Sequence, residues 1–125
     1  MASKLKILIV EDSSIILERV NSLLNEMDCI SEVFSSENGI RAVEMVEECN
    51  PDLVLLDINL PGKSGISILR EIKSRLSTKV IMLTNYSDNY YRTLCHEIGA
   101  DHFLDKTTEF EQIPELIKRL CAKAS

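Results

Sequence analysis

The 125-residue sequence has no apolar run near the roughly 20 residues that a helix needs to cross a bilayer, so no spanning helix is expected. It also lacks a surplus of positive charge: Lys and Arg number 14 against 20 Asp and Glu, giving a net charge of −6. An acidic surface argues against direct nucleic-acid binding by this domain, because phosphate backbones need a basic face. It argues equally against docking on anionic lipid, so neither nucleic acid nor membrane is an expected partner. The stretch from Met1 to Ile7 carries lysines but no apolar core followed by small residues. It does not read as a signal peptide, and a cytoplasmic protein is expected. The four cysteines, Cys29, Cys49, Cys95 and Cys121, include no C-x-x-C pair, and each falls in or beside an expected helix or strand. Reduced thiols are the expectation, rather than a disulfide or a zinc site.

What remains is an ordinary globular composition, 45% apolar and 27% charged, long enough to bury one core as a single domain over residues 1–125. Short apolar runs alternate with stretches of helical period. Leu5 to Val10 is nearly continuous in apolar residues, as a strand buried on both faces requires. Ser13 or Ser14 can cap a helix whose inner residues are Ile16, Val20, Leu23, Leu24 and Met27. Ile30 to Ser35 reads as a second strand nearer an edge, and Asn38 to Cys49 as a second helix, broken by Asn50-Pro51. Leu53 to Leu56 is the third and most apolar strand, followed by a loop from Asn59 to Gly65 and a helix from Ile66 to Arg75. Val80 to Leu83 is the fourth strand. Ser87-Asp88 can cap a helix running to Ile98, stopped by Gly99. His102 to Leu104 is a short fifth strand, a last helix carries Phe110, Ile113, Leu116, Ile117 and Leu120, and Ala122 to Ser125 reads as a short polar tail. Strand and helix alternate five times, which predicts an open, doubly wound parallel α/β sheet with helices on both faces.

Ligands in such folds bind beyond the carboxyl ends of the strands. Glu11 and Asp12 follow strand one, Asp57 ends strand three, Thr84 follows strand four, and Asp105 and Lys106 follow strand five. Acids, a hydroxyl and an ammonium therefore converge on one sheet edge. Clustered carboxylates are costly without a cation, and Mg²⁺ suits oxygen ligands of this kind.

At these positions the sequence resembles the response-regulator receiver family along essentially its whole length. The resemblance is carried by Ile7-Leu8-Ile9-Val10-Glu11-Asp12, by Asp52-Leu53-Val54-Leu55-Leu56-Asp57-Ile58-Asn59-Leu60-Pro61-Gly62-Lys63-Ser64-Gly65, by Val80-Ile81-Met82-Leu83-Thr84 and by Gly99-Ala100-Asp101-His102-Phe103-Leu104-Asp105-Lys106. It implies a flavodoxin-like strand order 2-1-3-4-5 with five helices, Asp57 as phosphoacceptor, and Mg²⁺ held by Glu11, Asp12, Asp57 and the Asn59 carbonyl. It implies that Thr84 and Lys106 contact the phosphoryl oxygens, and that Thr84 and Phe103 act as switch residues. Asn59 and Tyr86 are the implied controls of dephosphorylation. The implied phosphoryl donor is a histidine kinase or a histidine phosphotransfer protein. A downstream protein would be engaged through helix four, strand five and helix five, with Tyr90 and Tyr91 as aromatic candidates for contact. Such a protein is not a classical enzyme but catalyses its own aspartyl phosphorylation and dephosphorylation.

Three positions depart from the family pattern. Asn85 replaces a small residue after the Thr, Thr107 replaces the Pro after the Lys and so removes the basis for a cis bond, and Phe103 has no hydroxyl. Three other readings compete. A flavodoxin-like cofactor module needs a glycine- and hydroxyl-rich loop where Glu11-Asp12 stand. A pseudo-receiver needs the loss of acids that are retained here. A metal-dependent phosphatase needs a second base and a substrate pocket.

Overall fold

The computed structural model describes residues 4–124. The elements run β1 (Leu5–Val10), α1 (Ser14–Asn25), β2 (Ile30–Ser36), α2 (Ala42–Cys49), β3 (Leu53–Leu56), α3 (Gly65–Arg75), β4 (Lys79–Thr84), α4 (Asn89–Ile98), β5 (His102–Asp105) and, after a 3₁₀ turn at Phe110–Gln112, α5 (Ile113–Ala124). The strands form one sheet in the order β2-β1-β3-β4-β5, with every pairing parallel. This is the flavodoxin-like order that the resemblance implies.

Side chains alternate across the sheet, and both faces are covered. Leu8, Val10, Val54, Leu56, Val80 and Met82 pack with residues of α2, α3 and α4. Ile7, Ile9, Leu53, Leu55, Ile81 and Leu83 pack with residues of α1 and α5. Double coverage explains why the central strands read as unbroken apolar runs, while β2, at the edge, is only half-buried. Ser13 caps α1, its side chain accepting from the Ile16 amide, and Asp88 caps α4 by accepting from the Tyr91 amide.

Three expectations need correction. Helix α2 begins at Ala42 rather than Asn38. The Asn38 side chain accepts from the Ile40 amide and the Gly39 amide donates to the Pro61 carbonyl, so these residues form a turn against the β3–α3 loop instead of a helix. The expected polar tail is the end of α5, which continues to Ala124. Ser125 lies outside the described residues, as does the part of the no-leader reading that falls on residues 1–3. The third correction concerns the cysteines. Cys29 and Cys121 form a disulfide with Cα atoms 6.1 Å apart. The fold sets the turn before β2 beneath the end of α5, a proximity that 92 residues of sequence separation conceal. Cys49 and Cys95 are thiols, and burial raises Cys95 to about 11. No helix of the described residues is long and apolar enough to cross a membrane.

Candidate functional site

A parallel sheet aligns the carboxyl ends of its strands, so residues that follow different strands meet at one edge. The Glu11 amide donates to Ser36 and the Asp57 amide to Val10, so both acids continue the ladder one step beyond their strands. Both are buried, at 2% and 4% exposure, whereas Asp12 is exposed. The start of α3 presses on the Asp57 backbone. A Cβ at Gly65 would lie 1.9 Å from the Asp57 carbonyl oxygen, so only glycine fits there. Thr84 ends β4 fully buried, and its hydroxyl accepts from the Tyr86 amide at 3.2 Å. Its carbonyl accepts from the Lys106 amide at 3.0 Å, which fixes where the lysine leaves the sheet.

The buried Lys106 ammonium reaches across the edge. Its Nζ donates to Asp57 Oδ2 at 2.7 Å and sits 2.6 Å from Glu11 Oε1. The second contact is one of charge at a poor angle, for Glu11 Oε1 is buried with no hydrogen-bond donor. Glu11 Oε2 accepts from the Ser13 amide at 3.0 Å, and Asp57 Oδ1 from the Asn59 amide at 3.4 Å. Burial pushes the Glu11 carboxyl above its usual value, and the pull of Lys106 and the Ser13 amide only partly offsets this. Burial acts to lower Lys106, but its contacts with Asp57 and Glu11 outweigh that and raise it.

Carboxylate oxygens of Glu11, Asp12 and Asp57 all lie within 4.8 Å of one another. Beside them a cleft of about 290 Å³ is lined by Asp12, Ser13, Asp57, Asn59, Thr84, Asn85, Tyr86 and Lys106. The donor set is all oxygen, matching a hard divalent cation.

The structure thus brings together Glu11, Asp12, Asp57, Asn59, Thr84, Tyr86 and Lys106. It does not bring Asp105 to the cleft. That carboxylate accepts from the Ser87 hydroxyl and the Thr107 and Thr108 amides, which hold it down to about 2. Phe103 also lies outside the cleft, packed on the core with the Arg92 guanidinium 4.9 Å from its ring centre. Tyr91 packs against the core, while Tyr90 is 67% exposed with its ring edge-on to that of Tyr91 at 5.0 Å. Asn85 lines the cleft, its Oδ1 3.5 Å from the Thr107 hydroxyl. No described peptide bond is cis, in keeping with Thr107. Two contacts of the site carry no direct signal in the sequence. Ser13 serves the site through its amide, visible in advance only as a helix cap. Arg92 pairs with Glu109, 17 residues away, and no spacing rule signals that contact.

A family model described as response regulator receiver domain matches residues 7–118. The transcriptional regulatory protein YdfI of Bacillus subtilis (strain 168) is 30% identical over 92% of this chain and 61% of its own length. This chain spans about half of other curated relatives. Among solved structures, the BeF3-activated N-terminal receiver domain of Klebsiella pneumoniae RstA matches with a TM-score of 0.84 at 30% identity, covering 93% of this chain and 97% of that one. The signal receiver domain of a DNA binding response regulator protein (merR) from Colwellia psychrerythraea 34H gives a TM-score of 0.88 over 95% of this chain and 99% of that one. Its 24% identity makes it a likeness of fold alone.

Proposed function

The chain belongs to the response regulator receiver domain family of two-component systems, and we propose that it accepts a phosphoryl group on Asp57 and changes the surface formed by α4, β5 and α5 in response. Residues 1–125 act as one receiver unit in this reading. The observation that carries it is the pairing of a buried Asp57 with Lys106 at 2.7 Å, beside two further acids and an open cleft. A buried carboxylate that faces an ammonium and lines an open cleft is placed to attack rather than merely to pair.

The donor is a phosphohistidine on a histidine kinase or phosphotransfer protein. The Asp57 carboxylate attacks phosphorus in line, an O–P bond forms as the N–P bond breaks, and the imidazole leaves to take up a proton from solvent. Such transfer needs positioning and charge neutralisation more than covalent help. Lys106 gives its charge to one phosphoryl oxygen, and the Thr84 hydroxyl donates to another once it turns from the Tyr86 amide. Glu11, Asp12, Asp57 and the Asn59 carbonyl would hold Mg²⁺, which would supply positive charge to neutralise the phosphoryl oxygens. Phosphoryl capture draws Thr84 toward the site and lets Phe103 move inward, altering the face that carries Tyr90. A downstream protein reads that face.

Intact mass after incubation with acetyl phosphate and Mg²⁺ tests this. The wild type gains one phosphoryl group, Asp57→Asn gains none, chelation of the metal prevents the gain, and beryllofluoride competes with it. A gain that persists in Asp57→Asn removes Asp57 from the role.

A further inference from the structure

We propose that Cys29 and Cys121 form a reversible thiol–disulfide site, and that its oxidation fixes the last turns of α5 to the far edge of the sheet. The pair lies away from the phosphoacceptor. Cys29 precedes β2, and its carbonyl accepts from the Leu5 amide at 2.8 Å, which pins it to the start of β1. Cys121 belongs to the inward stripe of α5, one turn beyond Ile117 and two beyond Ile113.

Both redox states fit this geometry. A Cα separation of 6.1 Å is one that a disulfide spans. Cys121 Sγ also lies 3.7 Å from the Cys29 carbonyl, so that after reduction its thiol has an acceptor at hand. Reduction would therefore leave the buried Cys121 thiol beside an acceptor.

The pair also has leverage. Among the described residues, no other side chain of α5 makes a hydrogen bond or ion pair with another element; Arg119 and Glu115 pair within the helix. Apolar packing is non-directional, so the sulfur link is the one fixed tether between α5 and the β1–β2 edge. The redox site stands on this geometry alone. Its consequence for signal output rests on the switching of α4, β5 and α5 proposed above.

The oxidant is a small disulfide of the glutathione type. The half-buried Cys29 thiolate attacks one of its sulfurs and releases one thiolate. Cys121, 7% exposed, then attacks the Cys29 sulfur of the mixed disulfide and releases the second. One S–S bond breaks and one forms; the protein thiols lose two electrons and two protons, and the oxidant becomes two thiols. Cys49 and Cys95 remain thiols throughout and serve as internal references.

The test is a redox titration of the full chain in glutathione buffers. Thiols are alkylated after denaturation and counted by intact mass, and amide hydrogen exchange is followed over residues 113–124. The wild type is expected to show four alkylated thiols when reduced and two when oxidised, with Cys29→Ser showing three throughout. Exchange over residues 113–124 is expected to slow by about tenfold on oxidation. Four reactive thiols in oxidising buffer overturns the proposal, as do disulfide-linked dimers in place of the internal bond or α5 exchange that ignores redox state. The wild-type titration stands even if a cysteine variant folds poorly. Phosphoryl acceptance is assayed on both forms: its absence from both, with the thiol pattern intact, rejects the receiver reading and supports the redox site.

Discussion

The Lys106 ammonium stands between Glu11 and Asp57, 2.6 Å from the first and 2.7 Å from the second. Each acid is almost wholly buried, and the lysine is the positive charge that faces both. Lys106→Ala leaves two buried carboxylates facing one another. Removing one partner from a buried charge group costs about 3–5 kcal/mol, and one carboxyl then takes up a proton. Urea unfolding without metal should show a loss of that size, partly recovered by Mg²⁺. A variant as stable as the wild type in chelator would mean that Lys106 does not carry this charge balance.

How much of this was readable depended on whether the cause is local. Leu5–Val10 and Leu53–Leu56 announce themselves because strands covered on both faces have no polar side to show. The meeting of Glu11, Asp12, Asp57, Thr84 and Lys106 follows from parallel strands alone, since each residue ends or follows its strand. Asp105 also follows a strand, but its oxygens are taken by Ser87, Thr107 and Thr108, and a choice between competing donors is invisible in the sequence. Helix α2 starts at Ala42 rather than Asn38 because the Asn38 side chain offers the backbone a turn in place of a helical bond. The Cys29–Cys121 and Arg92–Glu109 contacts join residues that only the tertiary fold brings together.

Acid titration should report on Asp101. Its Oδ2 accepts from Lys73 Nζ and from the Val80 amide, each at 2.8 Å. Burial acts to raise this carboxyl, but the Lys73 and Val80 hydrogen bonds and the charges of Lys73 and Lys79 prevail, and it lies below its usual 3.8. A carboxyl lowered on folding adds stability that is complete above the unfolded value and is lost as pH falls through the folded one. Asp101→Asn should therefore cost about 1 kcal/mol near neutral pH. The gap to the wild type should hold down to about pH 5 and close below pH 4. A gap that is constant down to pH 2 in urea titrations would assign the effect to packing instead.

Arg92 connects three parts of the proposed switch. Its Nε donates to the Ser87 carbonyl at 2.9 Å, its NH2 pairs with Glu109, and its guanidinium lies over the Phe103 ring. Glu109 in turn accepts from the Asp105 amide at 3.0 Å. Arg92→Ala should cost about 1–2 kcal/mol and free the ring. NMR should then show averaged Phe103 ring signals and a larger response of α4 and β5 to beryllofluoride. Arg92→Lys keeps the charge without the planar fork and should fall between. Unchanged Phe103 signals in Arg92→Ala would mean that the core alone holds the ring.

Tyr86 is expected to govern how long the aspartyl phosphate survives. The acyl phosphate is lost when water attacks phosphorus in line, so groups bordering that approach set the rate. Tyr86 borders the cleft beside Asp57 and Asn59, its amide is anchored on the Thr84 hydroxyl, and its ring packs against Tyr91 with centroids 5.5 Å apart. A ring braced by Tyr91 shields the cleft, and it excludes water over a wider area than one hydroxyl can organise. Tyr86→Ala should therefore speed loss of phosphate from Asp57 by about three- to tenfold, a barrier change of about 0.7–1.4 kcal/mol. Folding stability should change little, because the ring is 44% exposed. Tyr86→Phe keeps the ring and should decay like the wild type. Decay followed by mass decides the matter: slower loss in both variants would make the hydroxyl an organiser of the attacking water, and equal rates in all three proteins would place the ring off the water's path.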